Sequence, residues 1–257
     1  MSGLIFFVTI WVLIYMTFWW ALASLRKNNS FADVAWGTIF ILIGSLLLSR
    51  LDYVPLTFFV VFILILIWGA RLALHIGLRN LTKPEDRRYA EWRAKGGKNY
   101  MLKSLPRVFW LQGVIALVIS APLFIAAKYG NDTLSLLSLL GVLIWIFGFS
   151  YESTADRQLK EFLKTKKPGQ IMNKGLWEFS RHPNYFGEIC QWVGLFMIVA
   201  GLKYGLIAIV SPILIAYLLK YVSGVPLAEK NFKDNKEFKE YARKTSPIFP
   251  HFFKRVV

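Results

Sequence analysis

An all-α integral membrane protein of about seven transmembrane helices is the fold class this sequence predicts, with the N-terminus outside and the C-terminus in the cytosol. Three observations predict it. The 257 residues are 56% hydrophobic, with a mean hydropathy of +0.46, more apolar surface than a soluble domain of this size needs. The apolar residues gather in long runs, which argue for membrane spans. The basic residues are one-sided: 27 of the 31 Lys+Arg fall at 26–27, 79–107, 157–181 and 220–257, in alternate connections. Positive charge marks the cytoplasmic side. The net charge of +16 therefore reflects topology and anionic headgroups and does not call for a nucleic-acid partner.

The spans read in order as 4–25, 33–49, 55–78, 107–127, 133–155, 185–201 and 205–222. The first lacks a basic n-region and is followed by Arg26 and Lys27, so it reads as a retained span and not a cleaved signal. The second opens on Asp33 and, like the sixth, is short at about 17 residues, near the lower limit for crossing hydrocarbon. The third carries Arg71, His75 and Arg79, whose spacing of four puts them on one face. In the inner segment 79–107, a helix over Pro84–Lys95 is predicted, with Pro84 in its first turn, Glu85 and Asp86 favouring its dipole, and Gly96-Gly97 ending it. Asn131-Asp132-Thr133 forms a glycosylation sequon on the outer side, a match common by chance. The fifth span ends in Glu152 and Asp156, and Lys167-Pro168-Gly169 signals a turn after it. The tail from 226 suits an interfacial helix stopped by Pro247 and Pro250. With no repeat and no low-complexity tract, one polytopic domain over 1–257 is the economical reading.

The densest chemistry lies at Ser180-Arg181-His182-Pro183-Asn184-Tyr185-Phe186-Gly187-Glu188, at the mouth of the sixth span. Polar groups are expensive at membrane depth and mark function by default. Pro183 suits the first position of a helix. Free amides there, with Arg181 and His182 beside them, suit an anion. Asn184 and Glu188 share a face that Gln191 continues, and Glu188 would accept hydrogen bonds from an amide or hydroxyl. A ligand with an anionic part and a neutral polar part meets both ends. A nicotinamide dinucleotide and S-adenosylmethionine both qualify, and the residues alone do not choose between them.

Gly175-Leu176-Trp177 with this motif resembles the C-terminal region of the steroid 5-alpha-reductase superfamily, and most closely its DUF1295 branch. Asp33-Val34-Ala35-Trp36-Gly37, Arg79-Asn80 with Glu85-Asp86-Arg87-Arg88-Tyr89, Ala155-Asp156-Arg157-Gln158 and the tail from Pro226 to Pro250 extend the resemblance over nearly the whole chain. It implies a seven-helix membrane fold that binds NADPH from the cytosol and passes hydride to the C=C bond of an apolar enone, sterol-like or other lipid substrate. By motif position it implies that Asn184, Tyr185 and Glu188 contact the cofactor, with Arg181, His182, Arg71, Arg79, Asn80, Arg88, Arg157 and Tyr241 as further binding residues. The cofactor-binding region would run over 180–250. No Gly-x-Gly-x-x-Gly element occurs, so the cofactor would sit outside a Rossmann fold. The reductases pair a glutamate with a tyrosine to polarise the substrate. Here Trp68 falls at the tyrosine position when Arg71 is aligned with the arginine that follows it. Asp33, Tyr151 and Tyr89 are the candidates to supply or relay the proton.

Two other readings stand beside the reductase. Arg181-His182-Pro183-Asn184-Tyr185-Phe186-Gly187, with Ala228-Glu229 downstream, also fits membrane methyltransferases of the isoprenylcysteine and phospholipid type, which use S-adenosylmethionine. A non-enzymatic membrane protein on the same fold is the third. Three histidines and one cysteine, Cys190, give no metal-ligand spacing and no intramolecular disulfide. The bacterial inner membrane and the endoplasmic reticulum both suit the chain.

Overall fold

The computed structural model describes residues 2–81, 85–97, 99–232 and 234–251. These are helical, with an isolated parallel bridge between Ser180 and Ser246 and no strand among the described residues. They form two compact units: Met1–Ser135 with Val199–Val210, and Leu136–Ile198 with Ser211–Val257.

The first unit contains α1 (Ser2–Arg26), α2 (Phe31–Leu48), α3 (Leu56–Leu81), α4 (Arg87–Gly96) and α5 (Tyr100–Ser104). A π-helical stretch, Leu105–Trp110, leads into α6 (Leu111–Ile119), which α7 (Ala121–Tyr129) follows. Without a hydrophobic drive between helices in lipid, close packing needs small residues at crossings. Gly37 and Gly69 supply one: a Cβ on Gly69 would stand 2.5 Å from the Gly37 carbonyl oxygen. Phe40 and Trp68 meet edge to face nearby, ring centres 5.4 Å apart. The sequon residues have a structural task. Asn131 O accepts from Thr57 N at 3.1 Å, and Asp132 Oδ1 accepts from Leu56 N at 3.1 Å. Together they cap the start of α3, whose first amides have no partner within the helix.

Three boundaries differ from the sequence reading. The apolar run expected as one helix over 107–127 breaks at Ser120, between α6 and α7. Pro122 cannot donate to the preceding turn, and Ser120 O caps the next helix by accepting from Leu123 N at 2.9 Å. The inner helix begins at Arg87, because Asp86 is its N-cap and accepts from Arg88 N at 2.9 Å. Pro84, expected in its first turn, lies outside the described residues. The fifth span, expected to end at 155, continues as helix to Thr165. Its charged residues leave the apolar layer, but no Gly or Pro interrupts the helix there.

That long helix is α8 (Leu136–Thr165), and the second unit adds α9 (Pro183–Val199), α10 (Val210–Tyr217) with a π-helical continuation over Leu218–Val222, α11 (Val225–Ala228) and α12 (Lys236–Lys244). The tail is thus two short helices. Asn235 Oδ1 caps α12 by accepting from Phe238 N at 3.0 Å. Six helices among the described residues are long and apolar enough to cross a membrane: Gly3–Arg26, Phe31–Leu48, Leu56–Leu78, Tyr100–Ile119, Leu136–Thr165 and Gly205–Ala228. The molecule suits an integral membrane protein. The expected sixth span, α9, has 17 residues, about 26 Å of helix against roughly 30 Å of hydrocarbon.

Candidate functional site

The motif residues gather in the second unit, where α8 and α9 cross on glycine. A Cβ on Gly148 would stand 2.5 Å from Gly187 O, and one on Gly187 would stand 2.6 Å from both Gly148 O and Glu152 N. One heptad further along, Gly141 and Gly194 repeat the arrangement, each with a Cβ position 2.5–2.6 Å from the other's carbonyl oxygen. Backbones this close bring the polar residues at the end of the seam into contact. Gln191 Nε2 donates to Glu152 Oε2 at 2.5 Å and to Gly187 O at 3.3 Å. Glu152 is 4% exposed and Gln191 1%. One turn on, Asn184 Nδ2 donates to Asp156 Oδ1 at 3.2 Å.

A carboxylate only accepts, so Asp156 fixes which end of the Asn184 amide carries hydrogens. The other end, Asn184 Oδ1, is buried and has no hydrogen-bond partner among the described residues. The Tyr151 hydroxyl, on α8, is in the same condition, with its ring edge on Phe186 at 5.4 Å. Buried polar atoms are normally paired, and each exception calls for an explanation. Asn184, Tyr185 and Glu188 are all half-buried in the first turns of α9. Arg157 is exposed, one residue beyond Asp156 on α8.

Arg181 and His182 face the tail. Arg181 Nε donates to Glu229 Oε1 at 2.8 Å and Nη2 to Oε2 at 3.3 Å, while Nη1 donates to Thr245 O at 2.7 Å and Ala242 O at 3.2 Å. His182 Nε2 lies 3.0 Å from Glu229 Oε1. Burial raises the Glu229 carboxyl, but the hydrogen bonds and charges of His182 and Arg181 outweigh it and hold the group below the ordinary range. As a carboxylate it can only accept, which assigns the shared proton to Nε2 of the imidazole. The ring stacks on Tyr185, 4.9 Å between centres and 10° from parallel. Tyr241 donates its hydroxyl to Trp177 O, with Ser180 O at 3.3 Å. Burial first, and then the nearby Glu229 charge, push that hydroxyl up. In sequence, Glu229 stands beside Arg181 and His182 only through the methyltransferase pattern, because 48 residues separate it from Arg181 and local spacing does not join them.

In the first unit, Asp33 and Tyr89 meet. Tyr89 Oη donates to Asp33 Oδ1 at 2.8 Å, and Arg88 Nη2 donates to Asp33 Oδ2 at 2.8 Å. Arg88 Nε also holds Asp86 Oδ1 at 2.8 Å. Tyr89 is 3% exposed. Burial, with the Asp33 charge second, holds its hydroxyl well above the ordinary value and protonated. The same knot ties α4 to the turn before α2: Asn29 N donates to Glu85 Oε1 at 2.7 Å, Arg93 Nη2 reaches the same oxygen at 2.7 Å, and Asp86 N donates to Ser30 Oγ at 2.8 Å. Arg71 is half-buried on α3. The side chains of Arg79 and Asn80 lie outside the described residues.

A family model described as "Protein of unknown function (DUF1295)" matches residues 19–245. The chain belongs to the DUF1295 family. A curated relative of this DUF1295 chain, steroid 5-alpha-reductase DET2 of Arabidopsis thaliana, is 36% identical over 56 residues. That stretch is 21% of each protein, so the chain spans about a fifth of the relative's length. The likeness supports membership of the DUF1295 chain in the steroid 5-alpha-reductase superfamily. No solved structure matches it.

Proposed function

We propose that the protein is a membrane-embedded, NADPH-dependent reductase whose nucleotide site is built on the start of α9 and faces the cytosol, in the bacterial inner membrane or the endoplasmic reticulum. The observation that carries this is the Asn184 amide: Asp156 fixes its hydrogens, and its buried Oδ1 is left as an acceptor among half-buried polar residues. A carboxamide N–H of a nicotinamide is a donor of the kind that atom accepts. Glu188, one turn on, offers a second acceptor. Tyr185 offers a flat ring held by the His182 stack. When bound, NADPH supplies the hydride for the C=C bond of an apolar enone, sterol-like or other lipid substrate.

The chain's own residues bind and orient. Guanidinium groups suit phosphate better than ammonium groups do, and exposed Arg157 is the best disposed of those in the second unit. Arg71, Arg79, Asn80 and Arg88, the other residues the resemblance implies, belong to the first unit. Arg181 and Tyr241 serve the site by holding the chain before α9, since their donors are engaged by Glu229, Ala242 and Thr245 and by Trp177 and Ser180. Of the proton candidates, Asp33 faces Arg88 as an acceptor, so Tyr89 and Tyr151 are the groups with a proton to give.

The methyltransferase reading keeps one observation in its favour: Glu229 meets the Arg181-His182 pair, which joins the two parts of that pattern. One binding experiment decides between the readings. Titration of the purified, detergent-solubilised protein with NADPH should give saturable binding and a raised melting temperature, because a ligand of the folded state stabilises it. Glu188→Ala should weaken the binding. A shift with S-adenosylmethionine and none with NADPH would reverse the assignment.

A further inference from the structure

Glu229 lies outside the motif, after α11, yet three groups of the motif converge on it. Its two oxygens receive Nε and Nη2 of Arg181 and Nε2 of His182 at 2.8, 3.3 and 3.0 Å. The same guanidinium continues to the carbonyls of Ala242 and Thr245 at the end of α12. A bidentate guanidinium–carboxylate pair fixes angle as well as distance. The pair is well shielded, with the Arg181 side chain 13% exposed and that of Glu229 19%. Loss of one partner there leaves a charge poorly hydrated, which costs more than loss of an exposed pair.

The imidazole is the link to the site. Glu229 holds Nε2–H, so the ring plane is set, and the ring lies parallel on Tyr185 at 4.9 Å. His182 O accepts from Tyr185 N at 3.1 Å and Phe186 N at 3.3 Å, so the residue also begins the helix that carries Asn184 and Glu188. Further along the strap, Ser180 Oγ donates to Ile248 O at 2.7 Å, and Arg181 N donates to Ser246 O at 2.9 Å. The entry to α9 is thus held from the tail side, and Glu229 accepts from both Arg181 and His182.

We propose that Glu229 is a positioning residue of the nucleotide site: through Arg181 and His182 it fixes the entry of α9 and the Tyr185 ring. The proposal rests on the NADPH reading above. Glu229 itself does not contact the nucleotide.

Glu229→Gln tests it, because the amide keeps the size and one acceptor but loses the charge and the second acceptor. NADPH affinity should fall about tenfold. Restoring the carboxylate one methylene shorter, in Glu229→Asp, should recover part of that loss. A residue that only stabilises the fold would lower the melting temperature of both variants and leave the affinity of the folded fraction unchanged. If wild type binds NADPH and Glu229→Gln binds it equally, the positioning role is wrong. If wild type does not bind NADPH at all, the reductase reading fails instead. Should Glu229→Gln not fold, hydrogen exchange on the wild-type protein decides. Saturating NADPH should slow exchange in 176–186 and in 225–246 together, and unchanged exchange in 225–246 would overturn the proposal.

Discussion

At Asp33 one carboxylate serves two donors from a neighbouring helix, the Arg88 guanidinium and the Tyr89 hydroxyl, both at 2.8 Å. Arg88 has a second acceptor in Asp86, whereas Tyr89 is nearly fully buried. Asp33→Ala therefore strands the tyrosine more than the arginine. A buried donor left without a partner costs about 1–3 kcal/mol, so thermal unfolding of Asp33→Ala should show a loss in that range. Asp33→Asn, which keeps an acceptor for Tyr89, should lose less. The sequence carried Asp33, Arg88 and Tyr89 as three separate candidates, and their meeting was not legible, because it joins positions 55 and 56 residues apart. Arg181 and Glu229 are joined in sequence only by the methyltransferase pattern, not by local spacing. By contrast, the common face of Asn184 and Gln191 is legible, since helical spacing is local, and both meet α8, at Asp156 and Glu152.

Helices are legible in the sequence where hydropathy decides, and less so where backbone chemistry does. The apolar runs gave the spans because lipid leaves little else for twenty apolar residues to do. The break at Ser120 came from Pro122 inside such a run, where hydropathy does not change. Hydropathy stops short of the end of α8 at Thr165, because charge marks the edge of the membrane and not the end of a helix. The α8–α9 seam was invisible in hydropathy, although its glycines stand seven apart on both helices, 141 and 148 facing 194 and 187. It makes a sharp prediction. At Gly187 a methyl group meets the α8 backbone at two atoms, Gly148 O and Glu152 N, each at 2.6 Å, so the helices must separate. Gly187→Ala should cost about 1–3 kcal/mol as overpacking does and should weaken NADPH binding through displaced Asn184. Gly201→Ala, where a Cβ would meet nothing within 4 Å, should leave unfolding within about 0.5 kcal/mol of wild type.

At the scale of the whole molecule, charge is what predicts orientation: by the positive-inside rule the basic segments 26–27, 79–107, 157–181 and 220–257 are expected in the cytosol. A soluble cofactor can reach the start of α9 only if that end of the helix faces the cytosol, so topology and function stand or fall together. The long helix α8 offers a direct test, because Thr133 precedes its start and Lys174 follows its end, and both are exposed. Cys190 is the sole cysteine, so Cys190→Ser gives a clean background for single-cysteine labelling with a membrane-impermeant maleimide. In sealed vesicles with the cytosolic face inside, Thr133→Cys should react. Lys174→Cys should react only after permeabilisation. The opposite pattern would put the motif outside, where NADPH is scarce, and would remove the reductase reading even if the purified protein bound the nucleotide.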